Sequence, residues 1–74
     1  MATRASNGAA IKAIREAVGV TQQDFAKRVG VNPSTLSNIE SGTYRASPAL
    51  ARRIADELGV PLDAVTTVIT EAVA

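Results

Sequence analysis

The chain has 74 residues, a net charge of +1, and neither Cys nor His. That length suits one small domain without a linker, and the missing residues exclude disulfide staples, thiolate nucleophiles, the usual zinc sites and the commonest general base. With Phe25 and Tyr44 the only aromatics, the core must come from Leu, Ile, Val and Ala on closely approached helices, which predicts an all-α domain.

Residues 1–7 carry no apolar periodicity and are read as a flexible N-terminal arm containing Arg4. They also lack the apolar stretch of a secretory signal, and no later run approaches the roughly 20 residues of a membrane span, so a cytoplasmic location with no membrane partner is expected. Helix one follows Ser6 or Asn7 as N-cap and ends before Gly19, with Ile11, Ile14 and Val18 as its apolar stripe. Helix two opens at Thr21, whose hydroxyl caps while Asp24 reaches back, buries Phe25, Ala26 and Val29, and closes at Gly30. Helix three has Asn32 as N-cap, Pro33 at its first position, where the missing N–H costs nothing, and Gly42 just past its end. So short a connection makes helices two and three cross steeply. Helix four starts at Ser47-Pro48, buries Leu50, Ile54 and Leu58, and stops at Gly59. Its Arg52/Asp56 and Arg53/Glu57 spacings predict outward salt bridges worth a few tenths of a kcal/mol.

Helix three, NPSTLSNIESG, is unusual in composition. Leu36 and Ile39 fall on one side of a helical wheel with Glu40 at the edge, and Ser34, Ser37, Asn38 and Ser41 lie opposite. Ser, Thr and Asn are mediocre helix formers, and an ordinary surface helix carries Glu, Lys or Arg instead. Small hydrogen-bonding residues suit a face that must approach another polar surface, such as base edges and phosphates in a major groove. A plain solvated face is the competing reading. Charge distribution agrees with an anionic ligand for the first half: residues 1–45 hold six basic against three acidic residues, and residues 46–74 two against four.

The stretch TQQDFAKRVGVNPSTLSNIESG resembles the helix-turn-helix of the lambda-repressor and Cro family, the XRE type. The matching residues are Thr21, Gln22, Ala26, Gly30, Thr35-Leu36-Ser37, Ile39-Glu40 and Gly42, and the resemblance extends over about residues 8–65. It implies a five-helix domain whose second helix braces the DNA backbone while the third lies in the major groove, usually as a two-fold dimer. Pro33, Ser34, Ser37 and Asn38 are then the base-contact candidates, with Asn38 foremost because its amide can both donate and accept toward adenine. Pro33 departs from the family pattern and offers only apolar contact. Gln22 matches a backbone-anchoring Gln of relatives, and Gln23, Asn32, Thr35, Ser41, Thr43, Tyr44 and Arg45 complete the phosphate candidates. Tyr44 reads equally as a cap on the core. Arg4 is the candidate for a minor groove, although disorder is the simpler reading of the arm. Arg15 and Glu40 each flank the apolar stripe of their own helix, and relatives pair the matching residues, so this Arg and Glu are expected to form a structural ion pair across helices one and three.

From the end of the 8–65 domain into the tail, residues 66–74, Val65, Val68, Ile69, Ala72 and Val73 fit one helical stripe. The β-branched run Val65 to Thr70 favours strand, but strict alternation fails, so a helix is expected. Leu62, Val65, Val68, Ile69 and Val73 are the candidate dimer interface, alongside the alternative that the tail packs on its own domain. The sequence therefore predicts a DNA-binding regulator of the Cro or immunity-repressor type. Encoded by a phage or a chromosome, it would be homodimeric on pseudo-palindromic operator DNA, with no cofactor, metal or small-molecule ligand. The alternative is an antitoxin-like interaction module that also represses its own operon. An enzyme has no support, because Asp24, Glu40, Asp56 and Asp63 are accounted for as caps, pairs or solvent faces.

Overall fold

The computed structural model describes residues 2–70, which form β1 (Ala2–Ser6), α1 (Gly8–Ala17), α2 (Gln22–Val29), α3 (Pro33–Ser41), α4 (Pro48–Leu58), α5 (Leu62–Val65) and β2 (Thr66–Thr70). The helix limits follow from local signals in the sequence. Asn7, Thr21 and Ser47 each accept a hydrogen bond from the backbone N–H three residues on, at 3.1, 3.1 and 3.2 Å, satisfying donors that a helix start leaves bare. Pro33 and Pro48 occupy first-turn positions, and Gly30, Gly42 and Gly59 end their helices in the left-handed region. At Gly30, with φ of 79°, a side chain would be strained, so the tight α2–α3 turn depends on glycine.

The helices close around Ile11, Phe25, Val29, Leu36, Ile39 and Ile54, all essentially inaccessible, with Ala26, Ala51 and Ala55 where backbones approach closely. Leu50, expected in the core, is only partly buried at its margin. Val18, placed on the buried stripe of helix one, is 53% exposed. It lies at the C-cap, beyond the last turn that α1 packs. The chain reverses at Gly19, and Val20 packs against the core instead.

Arg15 is buried although charged. Its Nε donates to Glu40 Oε2 at 2.7 Å, its Nη2 to Glu40 Oε1 at 3.1 Å, and its Nη1 to the Val20 carbonyl at 2.8 Å. The expected pair between helices one and three is thus present as a two-pronged bridge, the geometry in which a guanidinium and a carboxylate bind most strongly. Hydrogen bonding to Glu40 holds the Arg15 proton more tightly than in a free guanidinium, against the opposing effect of burial. Arg15 therefore stays charged at any accessible pH.

Several expectations fail for identifiable reasons. Residues 2–6 of the expected arm are not loose: β1 pairs antiparallel with β2, from Ala2↔Thr70 to Ser6↔Thr66. Residues 66–70 of the tail are accordingly a strand and not a helix, and residues 71–74 lie outside the described residues. The β-branched run decides once a partner strand supplies its hydrogen bonds, and that partner lies at the far end of the sequence. Asn32 makes no side-chain cap, and the Asp24 carboxylate, expected to reach back to Thr21, forms no hydrogen bond among the described residues. Neither Arg52/Asp56 nor Arg53/Glu57 closes to an ion pair among the described residues; all four side chains are exposed, where such pairs gain little. The Arg53 guanidinium instead lies over the turn at Gly30, with Nη1 3.6 Å from where a Cβ would sit.

Removing one partner of the buried bridge should cost far more than removing both. Glu40→Ala leaves an unpaired buried cation and is expected to lose about 3–5 kcal/mol of stability. Arg15→Met combined with Glu40→Leu should lose less. Urea unfolding of the two variants checks the order, and a double variant less stable than Glu40→Ala would refute it.

Candidate nucleic-acid interface

α3 presents two faces of opposite character. Leu36 and Ile39 are completely buried and Glu40 nearly so, whereas Pro33, Ser34, Ser37, Asn38 and Ser41 are exposed. The candidate base-contacting residues therefore share one accessible surface. No Lys, Arg, Asp or Glu lies among them, so nothing long or charged holds another polar surface at a distance.

Two constraints set the position of this face. At the C-terminal end of α3, Glu40 Oε1 accepts a hydrogen bond from Gln22 Nε2 at 3.1 Å as well as from Arg15. Gln22 was expected to anchor a phosphate. Its amide is turned inward, joining the first turn of α2 to the last turn of α3 through the buried pair. The second constraint is a close backbone approach that the helical pattern of the sequence does not show. Gly8, at the start of α1, is buried so tightly that a Cβ there would fall onto the carbonyl oxygens of Ile39 and Glu40. A glycine as the first residue of a helix, where a better helix former would serve if there were room for a side chain, is the signal that could have identified this contact.

Beside the exposed face, Thr35, Asn38, Thr43 and Tyr44 line an open cleft. The Tyr44 backbone N–H donates to the Asn38 carbonyl at 3.1 Å, and its side chain is 53% exposed. Tyr44 therefore does not cap the core; it flanks Asn38 at the surface. Ser41 Oγ donates to the same Asn38 carbonyl at 3.1 Å and lies 3.0 Å from Thr43 Oγ1. With the Ser41 hydrogen used on the carbonyl, Thr43 is left to donate to Ser41. Both hydroxyls, expected to meet phosphates, are engaged in closing the end of α3. Gln23 and Asn32 are exposed at the α2 and α3 N-terminal ends, Thr35 is half-buried, and Arg45 is exposed in the loop after α3. The backbone of Arg4 lies in β1, and its side chain falls outside the described residues.

The candidate dimer residues separate. Val65 is fully buried in the core of its own domain and Leu62 packs at the margin of that core, so neither forms an exposed stripe. Val68 is 50% exposed. The Ile69 side chain and all of Val73 lie outside the described residues. Among the described residues no group of three His, Cys, Asp or Glu could hold a metal ion, and no helix is long and apolar enough to cross a membrane.

The helix-turn-helix family model HTH_3 matches residues 11–65. An uncharacterized HTH-type transcriptional regulator of Methanothermobacter thermautotrophicus is 45% identical over 49 residues, which cover 66% of this chain and 71% of that protein. The uncharacterized HTH-type transcriptional regulator YazB of Bacillus subtilis is 39% identical over 56 residues, covering 76% and 81%. Among solved structures, SinR, the master regulator for biofilm formation, in complex with DNA, superposes with a TM-score of 0.71 at 28% identity. That match covers 77% of this chain and 95% of SinR.

The inward amide of Gln22 carries its own test. Gln22→Glu places a second carboxylate against Glu40 and should destabilise the fold more than Gln22→Ala at neutral pH. The gap should narrow toward pH 4, where a protonated carboxyl can again donate. Thermal unfolding of both variants across that range checks it, and equal stability at neutral pH would show that the Gln22–Glu40 contact does not hold in solution.

Proposed function

Since the chain belongs to the XRE-type helix-turn-helix family of DNA-binding transcriptional regulators, we propose that it is a repressor of the Cro or immunity type that occupies operator DNA with α3 in the major groove. The carrying observation is the exposed face of α3: Pro33, Ser34, Ser37 and Asn38 in one accessible row, backed by the buried Leu36 and Ile39. Short polar side chains let the helix come close enough for hydrogen bonds to base edges.

Asn38 is the foremost reader of a base in this proposal. Its neighbours Thr35 and Tyr44 border the adjoining cleft, which suits the sugar-phosphate strand at the edge of a groove. Arg45 and Gln23 supply backbone contacts that fix register without reading sequence. Serine hydroxyls discriminate poorly between bases, so the shape and deformability of the operator supply part of the selectivity. The protein acts as a two-fold dimer on a pseudo-palindromic operator in the bacterial cytoplasm. Repression follows from excluding polymerase, and concentration sets occupancy.

Selection of duplexes from a randomised pool at near-physiological salt tests this reading directly, because nonspecific attraction is weak there. The expected product is a pseudo-palindrome with half-sites about one helical turn apart. On that operator, Asn38→Ala should cost about 1–3 kcal/mol and relax preference at one position of each half-site. Arg45→Ala should weaken binding to all sequences alike and reduce the salt slope by about 1. A pool that shows no enrichment removes the operator function.

A further inference from the structure

β1 and β2 form a sheet of only two strands, and such a ribbon is marginal in water unless more structure is added to it. One hydrogen bond fixes which backbone groups it leaves open. Asn7 N–H donates to the Val65 carbonyl at 2.8 Å, continuing the register Ser6↔Thr66 and Ala5↔Thr67 by one step and making 7–65 a hydrogen-bonded pair. Bonded and non-bonded pairs alternate along an antiparallel ladder. The inward groups are therefore those of Ala5 and Thr67 and of Thr3 and Ile69. The backbone N–H and C=O of Val68 and Thr70 face one outer edge of the ribbon, and those of Ala2 and Arg4 face the other.

We propose that the β2 edge pairs antiparallel with β2 of a second copy of this chain, about a two-fold axis at Val68, giving a four-stranded sheet in the order β1-β2-β2-β1. Val68 is the middle residue of β2, so this register centres the pairing on the strand and lets Val68 exchange both backbone hydrogen bonds with its copy. The two Val68 side chains, each 50% exposed in the single chain, then lie side by side on one face. Every residue of β2 is Thr, Val or Ile, the types that pack best on a pleated surface, and none is charged. The opposite edge is unsuited to the same operation: its central position is Arg4, and a two-fold there would set like charges directly opposite each other. A charged residue on an edge strand is also a common barrier to unwanted pairing. The edges thus differ, and the difference selects β2. The proposal deepens the dimeric operator reading and rests on it only for the consequence on DNA.

Two variants of the full chain test the edge. Val68→Pro removes an outward N–H and leaves the inward bonds of Thr67 and Ile69 to β1 in place. Val68→Cys introduces the only thiol in the chain, opposite its copy at the Cα separation of about 5.5 Å of a bonded pair, within reach of a disulfide. Val18→Cys, also about half exposed, is the control. Sedimentation over a concentration series should bring the unaltered chain to twice its own mass, with Val68→Pro remaining at monomer mass and its helical circular dichroism unchanged. On oxidation Val68→Cys should become a covalent dimer while Val18→Cys stays monomeric. A strict monomer both free and on DNA overturns the proposal, as does a Val68→Pro chain that still dimerises while Val68→Cys cross-links no better than the control. Failure of the DNA reading is separate. A chain that dimerises through Val68 but enriches no duplex loses the operator function and keeps the edge, whereas a monomer that selects single half-sites does the reverse.

Discussion

The buried bridge between Arg15 and Glu40 is the interaction on which the arrangement of this fold depends. Hydrophobic burial is non-directional, so Leu36 and Ile39 alone would hold α3 against the core while allowing it to slide or roll. Glu40 removes that freedom. Its two carboxylate oxygens accept from Arg15 Nε, Arg15 Nη2 and Gln22 Nε2, and Arg15 Nη1 is taken by the Val20 carbonyl. Desolvating two charges is tolerable only when their hydrogen bonds are filled in this way. Any rotation of α3 would strand a buried charge, so one network fixes α1, the chain after it, α2 and α3 relative to one another.

That constraint explains why the exposed side of α3 can be made of poor helix formers. The helix draws little on intrinsic propensity, has no side-chain cap at Asn32, and depends on Pro33 at one end and Gly42 at the other together with the core and Glu40. Its outer surface is thereby released from the task of stabilising the helix. Ser34, Ser37 and Asn38 can then be chosen for what they meet outside the protein. Gly8 contributes from the other side of the same contact. Without a side chain it lets the start of α1 press on the carbonyls of Ile39 and Glu40, so the depth at which α3 sits is set by backbone against backbone.

The helix boundaries were legible in the sequence because caps and stop residues act within three or four positions. Asn7, Thr21, Ser47, Gly30 and Gly59 needed no knowledge of the rest of the chain. Arg15 and Glu40 could be paired from their places at the edge of two apolar stripes, supported by the resemblance to a known family. What the sequence did not disclose was long-range. The strand character of residues 66–70 required a partner at residues 2–6, and Gln22 turned inward because Glu40 lay within reach of its amide. Ser6, considered as a helix cap, instead has its Oγ accepting a hydrogen bond from Ala46 N–H at 2.9 Å. Val18 failed for a local reason: a wheel continues past the point where a real helix has already ended.

The contact at Ser6 also joins the two surfaces of the molecule. Ala46 belongs to the segment that follows α3 and carries Tyr44 and Arg45, while Ser6 is the last residue of β1 and Asn7, next to it, both caps α1 and begins the ladder to Val65. Val65 is itself a core residue with no exposed surface. The base of the ribbon is therefore tied to the core at Val65, to the start of α1 at Asn7 and to the loop beyond α3 at Ser6. Three short links of this kind leave the ribbon little freedom to swing independently of α3. A second chain seated on the β2 edge would be held in a defined relation to the exposed face of α3, and the spacing between two such faces would then be a property of the sheet register and not of a flexible tail.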